Sequence, residues 1–206
     1  MEFISLPLVY EPTSSDGRPM GEGRSVGVHL SDIIKFMRVR GMGEKLDGKG
    51  NQDLMTMGFI FEKTIETAMR DYFAMQRPIV IPQNETLLDG IYMTPDATNV
   101  EDGYQEEYKF TKKTLKKALE KEDFERHFWF WLVQVASACH AMGTDLARII
   151  ACFVMGDWSW KPPNGDTAFR CFDLRFEPWE LTNNWDLVKQ ARDEMLDAEE
   201  EGTWTR

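Results

Sequence analysis

Apolar residues recur with helical spacing in four segments of the chain. The first is the short run VHLSDIIKFMRV, whose N-terminus Ser31 is expected to cap. The second starts at Asp53 and extends to about residue 76, with an apolar stripe along one side. A third helix is predicted over residues 123–142, and a fourth begins near Pro178, a residue favoured in the first turn.

Strand-forming runs with β-branched and aromatic residues fill the stretches between these helices. PIVIP, LLDGIYMTPDA and GYQEEYKFT follow the second helix, and ARIIACFVMGDW and TAFRCFDLRF follow the third. This order of elements predicts one α/β domain with a central mixed β-sheet flanked by helices. Residues 1–25 lack a sustained period and are expected to form an N-terminal arm, which leaves residues 26–206 for the domain.

The composition is that of a globular protein, with 42% hydrophobic and 29% charged residues. No apolar run approaches the ~18 residues of a membrane span, and the N-terminus lacks the basic start of a signal peptide. Three widely spaced cysteines argue against a disulfide framework and against a metal site built on cysteine pairs. We therefore expect a cytoplasmic protein without membrane contact.

The net charge of −11 opposes nucleic-acid binding, but the charge is unevenly distributed. Residues 193–201 hold six acids and no base, whereas residues 109–121 hold six lysines and one glutamate. The lysine run is predicted to continue as a helix with one basic face, either solvated or bound to DNA phosphates. The candidate DNA-binding residues on this face are Lys112, Lys113, Lys116, Lys117 and Lys121.

Two carboxylates and a lysine are the strongest candidates for chemistry. Alternation along the predicted strand places Glu107 and Lys109 on one face, and a hairpin would bring Asp96 beside Glu107. Converging carboxylates supply the hard oxygen ligands that Mg²⁺ prefers. A neighbouring ammonium can position or deprotonate an attacking water and offset the charge of a phosphate.

The acid–x–lysine tripeptide by itself is a weak signal, because about two matches arise by chance in a chain of this composition. The second match, Asp47-Gly-Lys49, lies in a glycine-rich loop. A solvated strand face with a cross-strand ion pair is the alternative interpretation of Glu107 and Lys109. Asp89, which precedes a glycine, is an alternative to Asp96.

Two further polar residues occur in apolar helical surroundings. Gly58 lies one turn before Glu62 and would allow a close approach to that carboxylate. The alternative for Glu62 is a surface group that flanks the apolar stripe. Gln134 lies within FWFWLVQVASACHAMG and needs hydrogen-bond partners if it is buried. The alternative for Gln134 is a structural bond to the backbone.

These elements in this order resemble the PD-(D/E)xK nuclease superfamily, particularly its RecB-type and phage-encoded recombination exonuclease branch. The resemblance spans about residues 26–160 and implies a restriction-endonuclease-like core. It implies that Mg²⁺ or Mn²⁺ is bound by Asp96 and Glu107, with the Tyr108 carbonyl and Glu62 as further ligands. Lys109 would act on the nucleophilic water, and Gln134 would order the site. The family often has Tyr four residues after this Gln, where this chain has Ala138.

The resemblance implies a metal-dependent deoxyribonuclease, an exonuclease in phage DNA recombination, repair or processing, with DNA as its partner. It is compatible with a homo-oligomer or with a recombination partner protein. If the protein is phage-encoded, the expected location is the host cytoplasm. Two alternatives remain: a non-catalytic DNA- or protein-binding assembly protein on the same fold, and a structure-selective junction endonuclease.

Overall fold

The computed structural model describes residues 25–43, 57–58, 60–61, 63–64, 67, 80–82, 84–118, 121–153 and 169–205. Three helices and eight strands have both ends within these residues, and the positions from 57 to 67 belong to a further helical segment. The helices are α1 (Leu30–Met42), α2 (Lys121–Met142) and α3 (Pro178–Glu200), and a short 3₁₀ helix spans Leu115–Ala118. The strands are β1 (Val28–His29), β2 (Val80–Pro82), β3 (Thr86–Leu88), β4 (Ile91–Met93), β5 (Ala97–Asn99), β6 (Gln105–Thr111), β7 (Leu146–Phe153) and β8 (Phe169–Arg175).

A five-stranded mixed sheet forms the centre of the fold, in the order β2-β5-β6-β7-β8. β6 and β7 are parallel, and the other neighbouring pairs are antiparallel. A parallel pair needs a crossover connection, and here the 3₁₀ helix and α2 supply it. The predicted α/β fold with a mixed sheet flanked by helices is therefore confirmed.

A second sheet has three short strands in the order β1-β4-β3, and two of them, β3 and β4, come from a run that was predicted as one strand. The chain reverses at Asp89 and Gly90, whose φ angles are +49° and +78°. Two successive positive φ values define the tight turn that Asp-Gly favours between antiparallel strands. The run LLDGIYMTPDA is therefore a hairpin followed by the start of β5.

The central sheet is covered differently on its two faces. On one face, α2 packs against alternate β7 side chains that are almost fully buried: Ala147, Ile149, Ala151 and Phe153. On the other face, the Phe61 ring lies 6.0 Å from Phe110 and 5.9 Å from Phe169, measured between centroids. A separate core joins α1, α2 and α3 beside the smaller sheet.

The first helix starts earlier than the sequence predicted. Its N-cap is His29, which makes no side-chain cap, so the expected cap at Ser31 is wrong. His29 is held from outside the helix, because β1 pairs with β4 and the His29 ring stacks on Tyr92 at 5.4 Å. Its Nε2 also lies 2.9 Å from the Ser25 carbonyl. Tertiary contacts thus set this helix start.

The lysine-rich run does not form the predicted helix. Among the described residues between β6 and α2, helical turns occur at Leu115–Ala118, which form a 3₁₀ helix, and α2 begins at Lys121. The cause lies at the end of β6, where the Lys113 N–H donates to the Thr111 hydroxyl at 3.1 Å. Such a local side-chain bond competes with the helical backbone pattern.

Two of the remaining predicted helices are confirmed, and a third is described only in part. α2 and α3 lie where the periodicity placed them, and Glu177 and Glu180 form a capping box around Pro178. Of the second predicted helix, the described positions at 57–58, 60–61, 63–64 and 67 are helical. Its other residues, and the predicted arm apart from Ser25, lie outside the described residues.

All three cysteines are free thiols. No helix in the described part of the chain is long and apolar enough to cross a membrane.

Candidate active site

A closed set of hydrogen bonds links β6 to α2. Lys109 Nζ donates to Glu107 Oε1 and also to Gln134 Oε1, the latter at 2.8 Å. Gln134 Nε2 in turn donates to Glu107 Oε1 at 2.6 Å. Alternation along β6 turns Glu107 and Lys109 to the same face, where the crossover helix brings Gln134 over them.

Asp96 reaches the same place through the hairpin of β5 and β6. Ala97 pairs with Glu106, so the preceding residue, Asp96, lies across from Glu107. Asp96 Oδ2 accepts the Tyr108 N–H at 2.7 Å. Burial raises the pKa of Asp96, and this effect exceeds the opposing influence of the Lys109 charge and of hydrogen bonds from Tyr108 and Glu107.

The donor set suits a divalent cation. Glu107 is only 2% exposed, and the Asp96 carboxyl meets it within hydrogen-bonding reach. Two close carboxylates withdrawn from water repel each other, and a bound cation removes that repulsion. Within the described residues, no group of three or more His, Cys, Asp or Glu side chains is arranged to hold a metal ion. Glu62, the third predicted acid, lies outside them.

Asp89, the alternative to Asp96, lies elsewhere. Its carboxylate accepts the Trp185 indole N–H at 2.9 Å, and its carbonyl accepts Arg192 Nη1 at 2.6 Å. Both partners belong to α3, so Asp89 ties the β3–β4 turn to that helix. The structure therefore brings Asp96, and not Asp89, to Glu107.

The predicted lysine face is only partly described. Lys112 is exposed, but Lys113 is half-buried and its Nζ donates to the His127 carbonyl. Lys113 Nζ also lies 4.9 Å from the centroid of Phe128 and 5.1 Å from that of Phe130. It therefore packs on α2. The side chains of Lys116, Lys117 and Lys121 are outside the described residues.

Sequence reasoning missed Lys63, whose charge acts on Asp96 and lowers its pKa. Lys63 lies in the same helical segment as Phe61, which packs with Ala97 and Tyr108 behind the site. No local pattern in the sequence indicates that the Lys63 charge acts on Asp96. The expected close approach at Gly58 is not made by the protein, since no described atom lies within 4 Å of an added Cβ there.

A second polar group occupies the opposite face of β6. Glu106, 1% exposed, accepts the Tyr108 hydroxyl at 3.0 Å through Oε2. Its Oε1 has no hydrogen-bond partner among the described residues. Burial raises the pKa of Glu106, and the Tyr108 hydroxyl, the Arg148 guanidinium and a hydrogen bond from the Asn99 side chain offset part of that effect. Arg148 also forms a two-pronged ion pair with Asp173, at 2.7 and 2.9 Å.

No protein family and no curated protein matches this sequence. Solved structures with a similar fold include LHK-Exo, an alkaline exonuclease from Laribacter hongkongensis in complex with dAMP. It is 15% identical, covers 85% of this chain and 90% of that chain, and has a TM-score of 0.47. A phage related exonuclease from Haemophilus somnus 129PT is 12% identical, with 88% and 86% coverage and a TM-score of 0.47.

The protein SSO0001 is similar at 11% identity, with 79% and 75% coverage and a TM-score of 0.48. At these identities only the side chains of the present chain inform its chemistry. Those side chains bring two carboxylates, an ammonium and an amide to one point on the central sheet.

Proposed function

We propose that this protein is a metal-dependent nuclease of the PD-(D/E)xK type that hydrolyses DNA phosphodiesters. One observation carries the proposal: Glu107, Lys109 and Gln134 form a closed set of hydrogen bonds, and the Asp96 carboxyl lies against Glu107. A purely structural ion pair on a solvated strand face would not need a buried carboxylate and an amide from the crossover helix. Surface pairs of that kind contribute little to stability.

Asp96 and Glu107 would hold Mg²⁺ or Mn²⁺, with the Tyr108 carbonyl and Glu62 as further proposed ligands. A bound cation of this kind supplies charge stabilisation at the phosphate and favours ionisation of a bound water. Hydrolysis forms a bond from the water oxygen to phosphorus, while the bond from phosphorus to the leaving sugar oxygen breaks.

Lys109 is the residue placed to assist this step. Its ammonium is fixed by Glu107 and Gln134, so its direction is set before substrate arrives. A preorganised cation stabilises charge that develops on the phosphate oxygens without reorientation. Gln134 fixes both partners, since its amide donates to Glu107 and accepts from Lys109.

The direct test incubates the protein with linear, nicked and covalently closed DNA and with a four-way junction. Each substrate is tested with Mg²⁺, with Mn²⁺ and with EDTA. We expect metal-dependent loss of linear DNA alone, as for an exonuclease. Cleavage of closed circles or of the junction alone assigns an endonuclease. No cleavage of any substrate with either metal contradicts the proposal.

Lys109→Ala tests the assigned chemistry. Loss of one preorganised charge at the transition state should lower kcat by about 10²–10³-fold. The matched control is Lys189→Ala, which removes a lysine bonded to Asp186 on α3 at 2.9 Å. The mechanism is wrong if Lys109→Ala cleaves as fast as the parent while remaining folded.

The net charge of −11 favours one alternative, a non-catalytic binding or assembly protein with the same acid cluster. Calorimetric titration separates the two. A catalytic site should bind Mg²⁺ or Mn²⁺ through Asp96, whereas an assembly protein that binds its partner without metal would show no such heat.

A further inference from the structure

A second attachment joins the β6 segment to α2, beyond the hydrogen bonds of the proposed site. Lys113, two residues past the end of β6, donates through Nζ to the carbonyl of His127. The same ammonium lies 4.9 Å from the centroid of Phe128 and 5.1 Å from that of Phe130. The Lys113 backbone N–H donates to the Thr111 hydroxyl at 3.1 Å, so this residue is held through its backbone as well as through its side chain.

The His127 carbonyl lies at a kink in α2. The next residue, Phe128, has φ −128° and ψ 19°, which is outside the helical range. Helices kink where a side chain inserts into their ladder of backbone hydrogen bonds. The Phe128 side chain has no exposed surface, so the kink is packed into the core. The Lys113 ammonium therefore ties the end of β6 to the kink.

Two attachments together define how α2 lies along β6. Lys109 bonds to Gln134, and four residues later Lys113 bonds to His127, seven residues earlier on the helix. Four extended residues span about 13 Å, and seven helical residues span about 10 Å. The two spacings agree within the reach of a lysine side chain. One attachment would allow the helix to pivot, whereas two fix its direction.

Apolar packing constrains this direction less sharply. α2 packs against β7 through one apolar stripe, formed by Phe124, Phe128, Trp131 and Val135. Apolar attraction is non-directional and tolerates small shifts. Gln134, in contrast, must keep hydrogen-bond distance to Glu107 Oε1 and to Lys109 Nζ at once. The orientation of Gln134 therefore depends on how the helix is held beside the stripe.

We propose that Lys113 is a positioning residue, which orients Gln134 for the cleavage step by holding α2 at its kink. This inference rests on the proposed function. It gives Lys113 a role different from the DNA contact that the lysine run predicted. Because Lys113 acts on the reaction through Gln134, its contribution to kcat should disappear when the Gln134 side chain is removed.

A double-mutant cycle on kcat tests this dependence. Lys113→Met keeps an aliphatic chain over the two rings and removes the ammonium. It should lower kcat about 10-fold and leave KM within about twofold, as expected for a sub-ångström shift at the site. Gln134→Leu should lower kcat by about 10–100-fold. The double variant should match Gln134→Leu within about twofold, because residues that act as a unit are not additive.

A phosphate contact by Lys113 predicts a different set of results. Lys113→Met would then raise KM and reduce the salt dependence of DNA binding by about one ion. It would also lower kcat/KM by the same factor with and without the Gln134 side chain. Either this pattern or an unchanged kcat in Lys113→Met overturns the inference.

Lys35→Met is the matched control. Lys35 of α1 also carries an ammonium over an aromatic ring, 5.8 Å from the Trp204 centroid. This variant should keep the wild-type kcat and KM. Urea unfolding checks that each variant is folded, and Lys113→Gln takes the place of Lys113→Met in the cycle if the latter does not fold.

A measurement without cleavage separates this inference from the proposed function. Absence of cleavage by the wild type contradicts the function alone. The NMR resonances of the Gln134 side-chain amide, assigned by their loss in Gln134→Leu, report its bond to Glu107. They should shift in Lys113→Met and stay in place in Lys35→Met. Unchanged resonances in Lys113→Met overturn the positioning role whether or not the protein cleaves DNA.

Discussion

Glu106 and Glu107 are consecutive residues of β6 and are 1% and 2% exposed, yet they lie in opposite chemical settings. Glu107 meets an ammonium, an amide and a second carboxylate contributed by three elements. Glu106 meets the Tyr108 hydroxyl of its own strand, the Asn99 side chain of β5 and the charge of Arg148 on β7. Burial and polar partners are therefore common to both glutamates. Glu107 differs in having a second carboxylate, that of Asp96, beside it together with a directly bonded ammonium.

The largest effect should appear when the two glutamates are neutralised in turn. Glu107→Gln should lower kcat for DNA cleavage by at least about 10²-fold, because the variant loses a metal-binding charge and the partner of Lys109. Glu106→Gln should keep kcat within about twofold of the parent, a change below one RT in transition-state energy. Single-turnover cleavage of linear DNA measures both. Equal losses of kcat in Glu107→Gln and Glu106→Gln would contradict the proposal that only the Glu107 face of β6 takes part in cleavage.

The next effect concerns the cation that the Glu107 face is proposed to hold. Mg²⁺ or Mn²⁺ at 100 times its Kd should raise the free energy of unfolding of the wild type by about 2.7 kcal/mol. Asp96→Asn should remove most of this gain, whereas Glu101→Gln, an exposed acid between β5 and β6, should keep it. Urea unfolding with and without metal measures the gain. Equal metal stabilisation of Asp96→Asn and wild type would contradict the assignment of Asp96.

The smallest effect belongs to Glu106. Burial raises its pKa in the folded protein, so the folded state holds a proton that the unfolded state releases above its ordinary pKa of 4.5. The wild type therefore loses stability as pH rises from 4.5 through the raised folded pKa. Glu106→Gln avoids this loss and should be more stable by about 1 kcal/mol at pH 8. The advantage should shrink below pH 4.5, as measured by urea unfolding, and an advantage independent of pH would contradict this account.

Local periodicity in the sequence predicted which side chains would share one face near the proposed site. Alternation placed Glu107 and Lys109 together, and a lone glutamine in an apolar helix indicated that Gln134 would need partners. The hairpin spacing favoured Asp96. Asp89, the alternative to Asp96, is held away from Glu107 by its hydrogen bond to Trp185, which is 96 positions later in the chain. No local pattern contains such a contact.

Two other features were decided by tertiary packing. The spacing of the lysine run was helical, but the Thr111 hydroxyl and the aromatic rings of α2 redirected Lys113. The Arg38 guanidinium lies over the Phe130 ring because α1 packs beside α2. Side chains whose position depends on how helices pack against one another cannot be read from the spacing of residues within one helix.

The crossover that makes β6 and β7 parallel also keeps most of the proposed site within one stretch of chain. Asp96, Glu107, Lys109 and Gln134 all lie within residues 96–134, in a hairpin strand pair and the helix that follows it. Glu62, the further proposed ligand, comes from outside that stretch. The four grouped side chains are therefore brought together by contacts of short sequence separation, which cost little loop-closure entropy when the chain folds.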